Sequence, residues 1–320
     1  MAERKYRFKG HESFILRDGW LNKGLRALEK DKKVFFANSG ADELGVGVNM
    51  AKSIRYWLRC AGLSKESKGS IELSTLGNLI LEKDPYLENI FSLWLIHCNI
   101  AKNQKEATTW NLFFQEFDSI EFNPEYLKKE MLQMVKDLPN LDTFSERSVT
   151  EDCDVLLRMY TRQKEKGKTP EEKNVSPFGG LGLIRNRNDI YIKEQPALNK
   201  IPEELILYLV PQTEGFQAGM SIKEPNANRS PSEMLMGKEG TFVDETKNSI
   251  SIDDLLEGKN SPGKLLNLKR SGLLELLERL AARNMIQINR TAGLDMIYLK
   301  DIDEIELLEN CYKRLLGEHK

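Results

Sequence analysis

A chain of 320 residues with 40% hydrophobic and 30% charged content is long enough for two or three packed domains. It holds no run of about 18 apolar residues, which excludes a membrane span. The opening MAERKYRFKGHESF lacks the apolar stretch and small-residue cleavage site of a secretory signal, so a cytoplasmic protein is expected.

The net charge of −2 conceals an asymmetry: residues 1–68 hold 15 Lys/Arg against 8 Asp/Glu, and residues 69–160 hold 8 against 16. A basic segment on an otherwise acidic chain implies a local polyanion site rather than general adhesion. The four cysteines, Cys60, Cys98, Cys153 and Cys311, are far apart. They show no CxxC or Cys/His ligand spacing, so free buried thiols are expected, with neither a disulfide frame nor a zinc site.

In chain order, residues 19–30 (GWLNKGLRALEK) predict a short amphipathic helix, with Trp20, Leu21, Leu25 and Leu28 near one face. Ser39, with Asp42 three residues on, resembles a capping box opening a second helix, and Gly45 and Gly47 end it. A third helix is predicted from Asn49 to about Ala61. Its apolar stripe is Met50, Ile54, Trp57, Leu58 and Ala61. Lys52, Arg55, Tyr56 and Arg59 fall on the opposite face, with no acid among them, as a surface meeting phosphates and base edges requires. Two strand-like pieces then surround Ser67-Lys68-Gly69, and Ser74 or Thr75 caps a further helix. Helix, helix, turn, helix, hairpin is the order of a winged helix-turn-helix. A solvated helix face beside an ordinary hairpin would show the same pattern. If the module binds DNA, Arg17, Lys23, Lys52, Arg55, Tyr56, Arg59, Lys65 and Lys68 are its expected contacts, and affinity falls steeply with salt.

From about 85 to 165 four segments carry 3.6-residue periodicity. His97 lies beside Trp94 and Cys98 and reads as a satisfied core histidine. Trp110, Phe113, Phe114 and Phe117 read as core. The polar stretch 164–174 is the best linker. SPFGGLGLI matches neither GxGxxG nor a P-loop, and leads into a hairpin-like RNRN turn. Residues 250–300 repeat the winged-helix order, with Ser261-Pro262 as cap and first-turn proline. Here Glu275 and Glu278 share the outward face with Arg279 and Arg283. Leu273, Leu274, Leu276, Leu277 and Leu280 favour protein packing or a homodimer over DNA, with Arg283 and Arg290 the nearest to DNA contacts. The expected fold is thus mainly α. A basic winged helix-turn-helix at 1–82 and a winged-helix-like domain at 246–320 flank a helical domain at 83–165 and a mixed segment at 166–245.

Two groups are candidates for chemistry. Glu151 and Asp154, three apart on a helix, share a face and are oxygen ligands of the kind Mg2+ takes; acids in a first helical turn also stabilise its dipole with no catalysis. His11 and Glu12, in GHESF, are a candidate catalytic pair or else a polar anchor for the N-terminal arm. No contiguous PD-(D/E)xK or HNH signature is present.

The segments FKGHESFILRDGWLNKGL (8–25), LGVGVNMAKSIRYWLRCAGL (44–63), 150–160, SPFGGLGLI (176–184) and RTAGLDMIYL (290–299) resemble the SspB-like family encoded beside bacterial DNA-phosphorothioation genes. The resemblance spans nearly the whole chain. It implies a role in antiphage defence, nicking one DNA strand so that sulfur can replace a non-bridging phosphate oxygen. It also implies partners: a cysteine desulfurase, a sulfurtransferase of the ATP-pyrophosphatase type and an ATPase. The leading expectation is a Mg2+-dependent nickase. The alternative is a non-catalytic DNA-binding adaptor or transcriptional regulator.

Overall fold

The computed structural model describes residues 6–36, 38–161, 175–218, 248–291, 294–299 and 303–317. The linker expected at 164–174 lies outside the described residues. The fold is mainly helical, as its periodicities require.

α1 (Trp20–Lys30) buries Trp20, Leu21, Leu25 and Leu28. Gly24 allows α3 (Val48–Cys60) to cross closely, since a Cβ there would meet Leu58 Cδ1 at 2.6 Å. Between them α2 (Ala41–Leu44) is a single turn. The capping box expected at its start is not formed. Left-handed Gly40 is the N-cap with no side-chain hydrogen bond, Ser39 itself is left-handed (φ 55°), and Asp42 accepts from Asn38 Nδ2 instead. A four-residue helix has too few turns for the reciprocal bonds a capping box needs.

β1 (Ser64–Ser67) and β2 (Ser70–Leu73) form an antiparallel hairpin whose turn is closed by Gly69 at φ 81°. α4 (Thr75–Lys83) follows, with the Gly77 N–H donating to the Ser74 hydroxyl at 2.9 Å. Residues 20–73 thus run as a helix, a single helical turn, a second long helix and a hairpin.

α5 (Ile90–Lys102) and α6 (Thr108–Gln115) are buried nearly all round, and α7 (Pro124–Lys136) pairs with α8 (Glu146–Tyr160). β3 (Glu121–Phe122) joins a hairpin of β4 (Ile184–Arg187) and β5 (Ile190–Lys193) in the order β3-β5-β4. Asn188 and Asp189, both at positive φ, make the tight turn foreseen at RNRN. α9 (Glu204–Leu209) then enters the core.

In the C-terminal module come β6 (Asn248–Ser251), α10 (Ile252–Glu257), α11 (Pro262–Leu265) and α12 (Arg270–Ala282). β7 (Ile286–Thr291) and β8 (Leu294–Leu299) complete a sheet ordered β6-β8-β7. Ser261 caps α11, with Pro262 in its first turn. α13 (Glu304–Leu316) returns to α4 and α9. Its Tyr312 hydroxyl lies 2.7 Å from Ser92 Oγ, and its Arg314 binds the buried Glu204 carboxylate at 2.9 and 2.7 Å.

The buried side chains form one continuous cluster, with Trp57, Trp94, Trp110, Tyr160 and Tyr312 fully enclosed. Each large apolar side chain so enclosed contributes about 1.5–3 kcal/mol. Leu273, Leu276, Leu277 and Leu280 belong to that cluster, so the leucine density of α12 is used inside its own chain. All four cysteines are free and buried. Among the described residues no helix is long and apolar enough to cross a membrane.

Candidate nucleic-acid interface

Of the stripe expected on α3, Ile54, Trp57, Leu58 and Ala61 are buried, while Met50 is only partly so and Ala51 is buried beside it. Lys52 is exposed, and among the described residues its Nζ reaches only Asn49 Oδ1 of its own helix, at 3.4 Å. Lys65 and Lys68 on the β1–β2 hairpin are exposed. These three cations share one helix–hairpin unit.

The rest of the expected face is altered by groups from elsewhere. Tyr56 does not point outward: it is 2% exposed. The N-terminal arm covers it, with the Arg7 guanidinium 5.2 Å above its ring and Gly10 so close that a Cβ would lie 2.3 Å from Tyr56 Cε2. Arg55 and Arg59 are both paired. Arg55 Nε donates to Glu66 of β1 at 2.9 Å, and Arg59 bridges Glu66 at 3.4 Å and Glu106 at 3.0 Å. Glu106 also takes Arg7 at 3.0 Å. Although burial would raise the Glu66 carboxyl, the two arginines outweigh it and hold the pKa below the usual carboxylate value. The helix itself carries no acid on this face, but the hairpin and the α5–α6 loop supply two. Lys23 is exposed on α1, with its Nζ at the Leu44 carbonyl that ends α2, 3.5 Å away. Arg17 lies apart, stacked against the Phe14 and Trp20 rings at 5.3 and 5.0 Å.

His11 is closed off beneath this face, fully buried. Its ring stacks on Trp57 at 5.9 Å and meets Trp110 edge-on at 5.5 Å. The Ser13 backbone N–H donates to Nδ1 at 3.0 Å, so Nε2 carries the proton and donates to Asp152 Oδ1 at 2.7 Å. Asp152 also accepts from the Lys9 N–H at 2.9 Å and the Thr109 hydroxyl at 2.7 Å. With both ring nitrogens engaged and no route to solvent, His11 is not placed as a catalytic group. It anchors the arm to α6 and α8. The turn it sits in is left-handed at Lys9, Glu12 and Ser13 (φ 55°, 51° and 69°), strain that the buried bonds hold in place. Glu12 stays partly exposed at that turn. Asp152 is the residue that sequence reasoning passed over in favour of its neighbours. Its helical position, facing inward between Val149 and Leu156, was the available signal.

The proposed metal pair is also occupied by cations. Glu151 is held by Lys9 at 2.6 Å and Arg147 at 2.8 Å, which pull its carboxyl down to about 2. Asp154 pairs with Lys128 at 2.9 Å. Among the described residues no three His, Cys, Asp or Glu side chains gather as a metal site. Two carboxylates each neutralised by its own cation do not fit a Mg2+ centre.

His97 sits in the core as expected. Nε2–H donates to the Leu265 carbonyl at 2.8 Å, the Tyr160 hydroxyl lies 2.7 Å from Nδ1, and burial lowers its pKa to about 4. In the C-terminal module, Arg279 pairs with Glu275, Arg283 with Glu203 and Glu204, and Arg290 with Glu278. The cations there that came nearest to DNA contacts are thus already matched.

A family model described as a protein of unknown function, DUF4007, matches residues 8–234 and 230–312. The chain belongs to the DUF4007 family. The fold of this DUF4007 chain is also that of two solved structures. One is described as a magnesium ion-bound SspB crystal structure, with 21% identity, TM-score 0.73, and 97% of this chain and 88% of that one covered. The other is an SspB crystal structure, with 20% identity, TM-score 0.76, and 98% and 90% covered. The resemblance to SspB-like proteins therefore holds at the level of the fold. No curated protein matches the chain.

Proposed function

We propose that this protein is the DNA-binding component of a bacterial DNA-phosphorothioation and antiphage-defence system, working in the cytoplasm. In this reading the α3–hairpin unit is a winged helix that meets duplex DNA. The observation that carries it is the set of exposed lysines, Lys52 on α3 with Lys65 and Lys68 on the hairpin. Cations so placed can follow a phosphate backbone, as phosphate contacts position a protein on DNA. The fold shared with SspB supports membership of such a system. The reading includes as partners a cysteine desulfurase, an ATP-pyrophosphatase-type sulfurtransferase and an ATPase. It also includes self-association through the C-terminal module, which sedimentation of the pure protein tests.

Opening one strand for sulfur insertion, with Mg2+, is the activity proposed for it. The fold neighbour described as magnesium-bound supports the ion, but Glu151 and Asp154 are not proposed as its ligands. The second reading is a non-catalytic adaptor or transcriptional regulator. It is favoured by the enclosure of His11 and by the cations on Glu151 and Asp154. Incubating supercoiled plasmid with pure protein, with Mg2+ or with EDTA, separates the two. Open-circle product that needs the metal supports the nickase. Binding that weakens with salt and yields no such product supports the adaptor. No duplex binding at low salt removes both.

A further inference from the structure

A cavity of about 240 Å3 lies where the start of α1 meets the α4–α5 loop, with Leu16, Leu21 and Leu87 among its lining residues. Arg17, Asp18 and Glu88 are the charged residues of its lining. Tyr86, also lining it, is 65% exposed, with the Arg26 guanidinium 5.5 Å from its ring.

Arg17 is the unusual member. Its contacts are two aromatic faces, and its Nε is buried with no hydrogen-bond partner among the described residues. A buried N–H donor left without an acceptor is costly, and native proteins keep few such groups without a reason. The Phe14 and Trp20 rings hold the planar group by its charge and leave that donor unused. Partial burial also pushes the Asp18 carboxyl above its ordinary value, although Asp18 and Glu88 both keep an exposed side to water.

The composition selects the ligand. A free phosphate would satisfy Arg17 but would face the Asp18 and Glu88 carboxylates. A flat ring with acceptors along one edge and N–H donors along the next uses all three groups, and it can rest against leucines and a tyrosine. Guanine is that ring: O6 and N7 are the acceptors arginine meets most often, and N1–H and the 2-amino group suit carboxylates. The volume is below the ~300–1,000 Å3 of pockets that enclose drug-sized ligands, so sugar and phosphate would stay outside.

We propose that this cavity is a guanine pocket in which Arg17 donates to the acceptor edge while Asp18 and Glu88 accept from the N–H edge. The base can come from a free nucleotide or be turned out of a nucleic-acid strand. The site is independent of the DNA reading of α3.

Calorimetric titration of the full chain tests it with five probes: GMP, AMP, inorganic phosphate, an oligothymidine carrying one guanine, and the same strand without it. Saturable binding of GMP, at least tenfold tighter than AMP, with no heat from phosphate, is the expected result. Binding of the guanine-bearing strand at least tenfold tighter than the all-thymidine strand, without binding of GMP, also supports the pocket and makes a strand the source of the base. Arg17→Lys keeps the charge but loses the planar fork, and should weaken guanine binding at least tenfold while circular dichroism shows the fold intact. Asp18→Asn should erase the preference over AMP. The proposal is overturned if GMP does not bind and the guanine-bearing strand binds no tighter than the all-thymidine strand, if phosphate binds as well as GMP, or if folded Arg17→Lys binds guanine unchanged.

Discussion

His11 and Asp152, 141 residues apart in the chain, are joined by a 2.7 Å hydrogen bond with both side chains buried. Through this bond the N-terminal arm is tied to α8, and the arm in turn covers Tyr56 on α3. The position of the candidate interface therefore depends on a pair that touches no solvent.

Removing that carboxylate should loosen the arm. Asp152→Ala leaves the His11 Nε2–H, the Lys9 N–H and the Thr109 hydroxyl without their acceptor, and should cost about 3–5 kcal/mol, as for other buried networks broken on one side. Asp152→Asn keeps one acceptor oxygen and should cost less. Urea unfolding curves of the two variants measure the difference. Equal stability of Asp152→Ala and wild type would show that the network holds nothing.

The charge pairs on α3 predict a gain as well as losses. Glu66→Gln frees Arg55 and Arg59 from the hairpin acid and should tighten DNA binding at fixed salt. Lys52→Ala, Lys65→Ala and Lys68→Ala should each lower the slope of log affinity against log salt by about 0.9 for every phosphate that is no longer neutralised. Arg59→Ala leaves Glu106 with Arg7 alone and should lower stability more than it lowers that slope. Filter binding over a salt series, beside thermal melts, separates these effects.

His97 makes stability depend on pH. Its folded pKa, about 4, lies below the usual 6.5, so the unfolded chain takes up this proton first as acidity rises. The contribution is complete above pH 6.5 and is lost as the pH falls toward 4, on the order of 3 kcal/mol in all. His97→Gln should flatten this part of the stability profile at some cost at neutral pH. By NMR, the His97 ring should show no titration between pH 7 and 5 in the folded protein.

Glu151 acts lower on the scale. With its carboxyl pulled down to about 2 by Lys9 and Arg147, its contribution is present above about pH 4.5 and is lost as the pH falls toward 2. Because the pair is partly exposed, the effect should stay within about 1 kcal/mol. Glu151→Gln should remove it, and acid unfolding followed by circular dichroism would show a midpoint shifted slightly upward.

The sequence by itself determined α1 to α8, α10 to α12, the hairpins and most of the inward stripe of α3. A 3.6-residue period, a Ser before an apolar run and an Asn-Asp turn act between neighbours, whose geometry is fixed by the local backbone. It also determined that His97 would be core, since every turn of its helix is apolar. Only the tertiary structure decided that Tyr56 is covered, that Glu66 and Glu106 answer the arginines of α3, and that Asp152 rather than Glu151 or Asp154 faces His11. Those pairings join segments whose approach is set by how whole helices pack, and periodicity within one helix carries no information about what a distant segment lays across it.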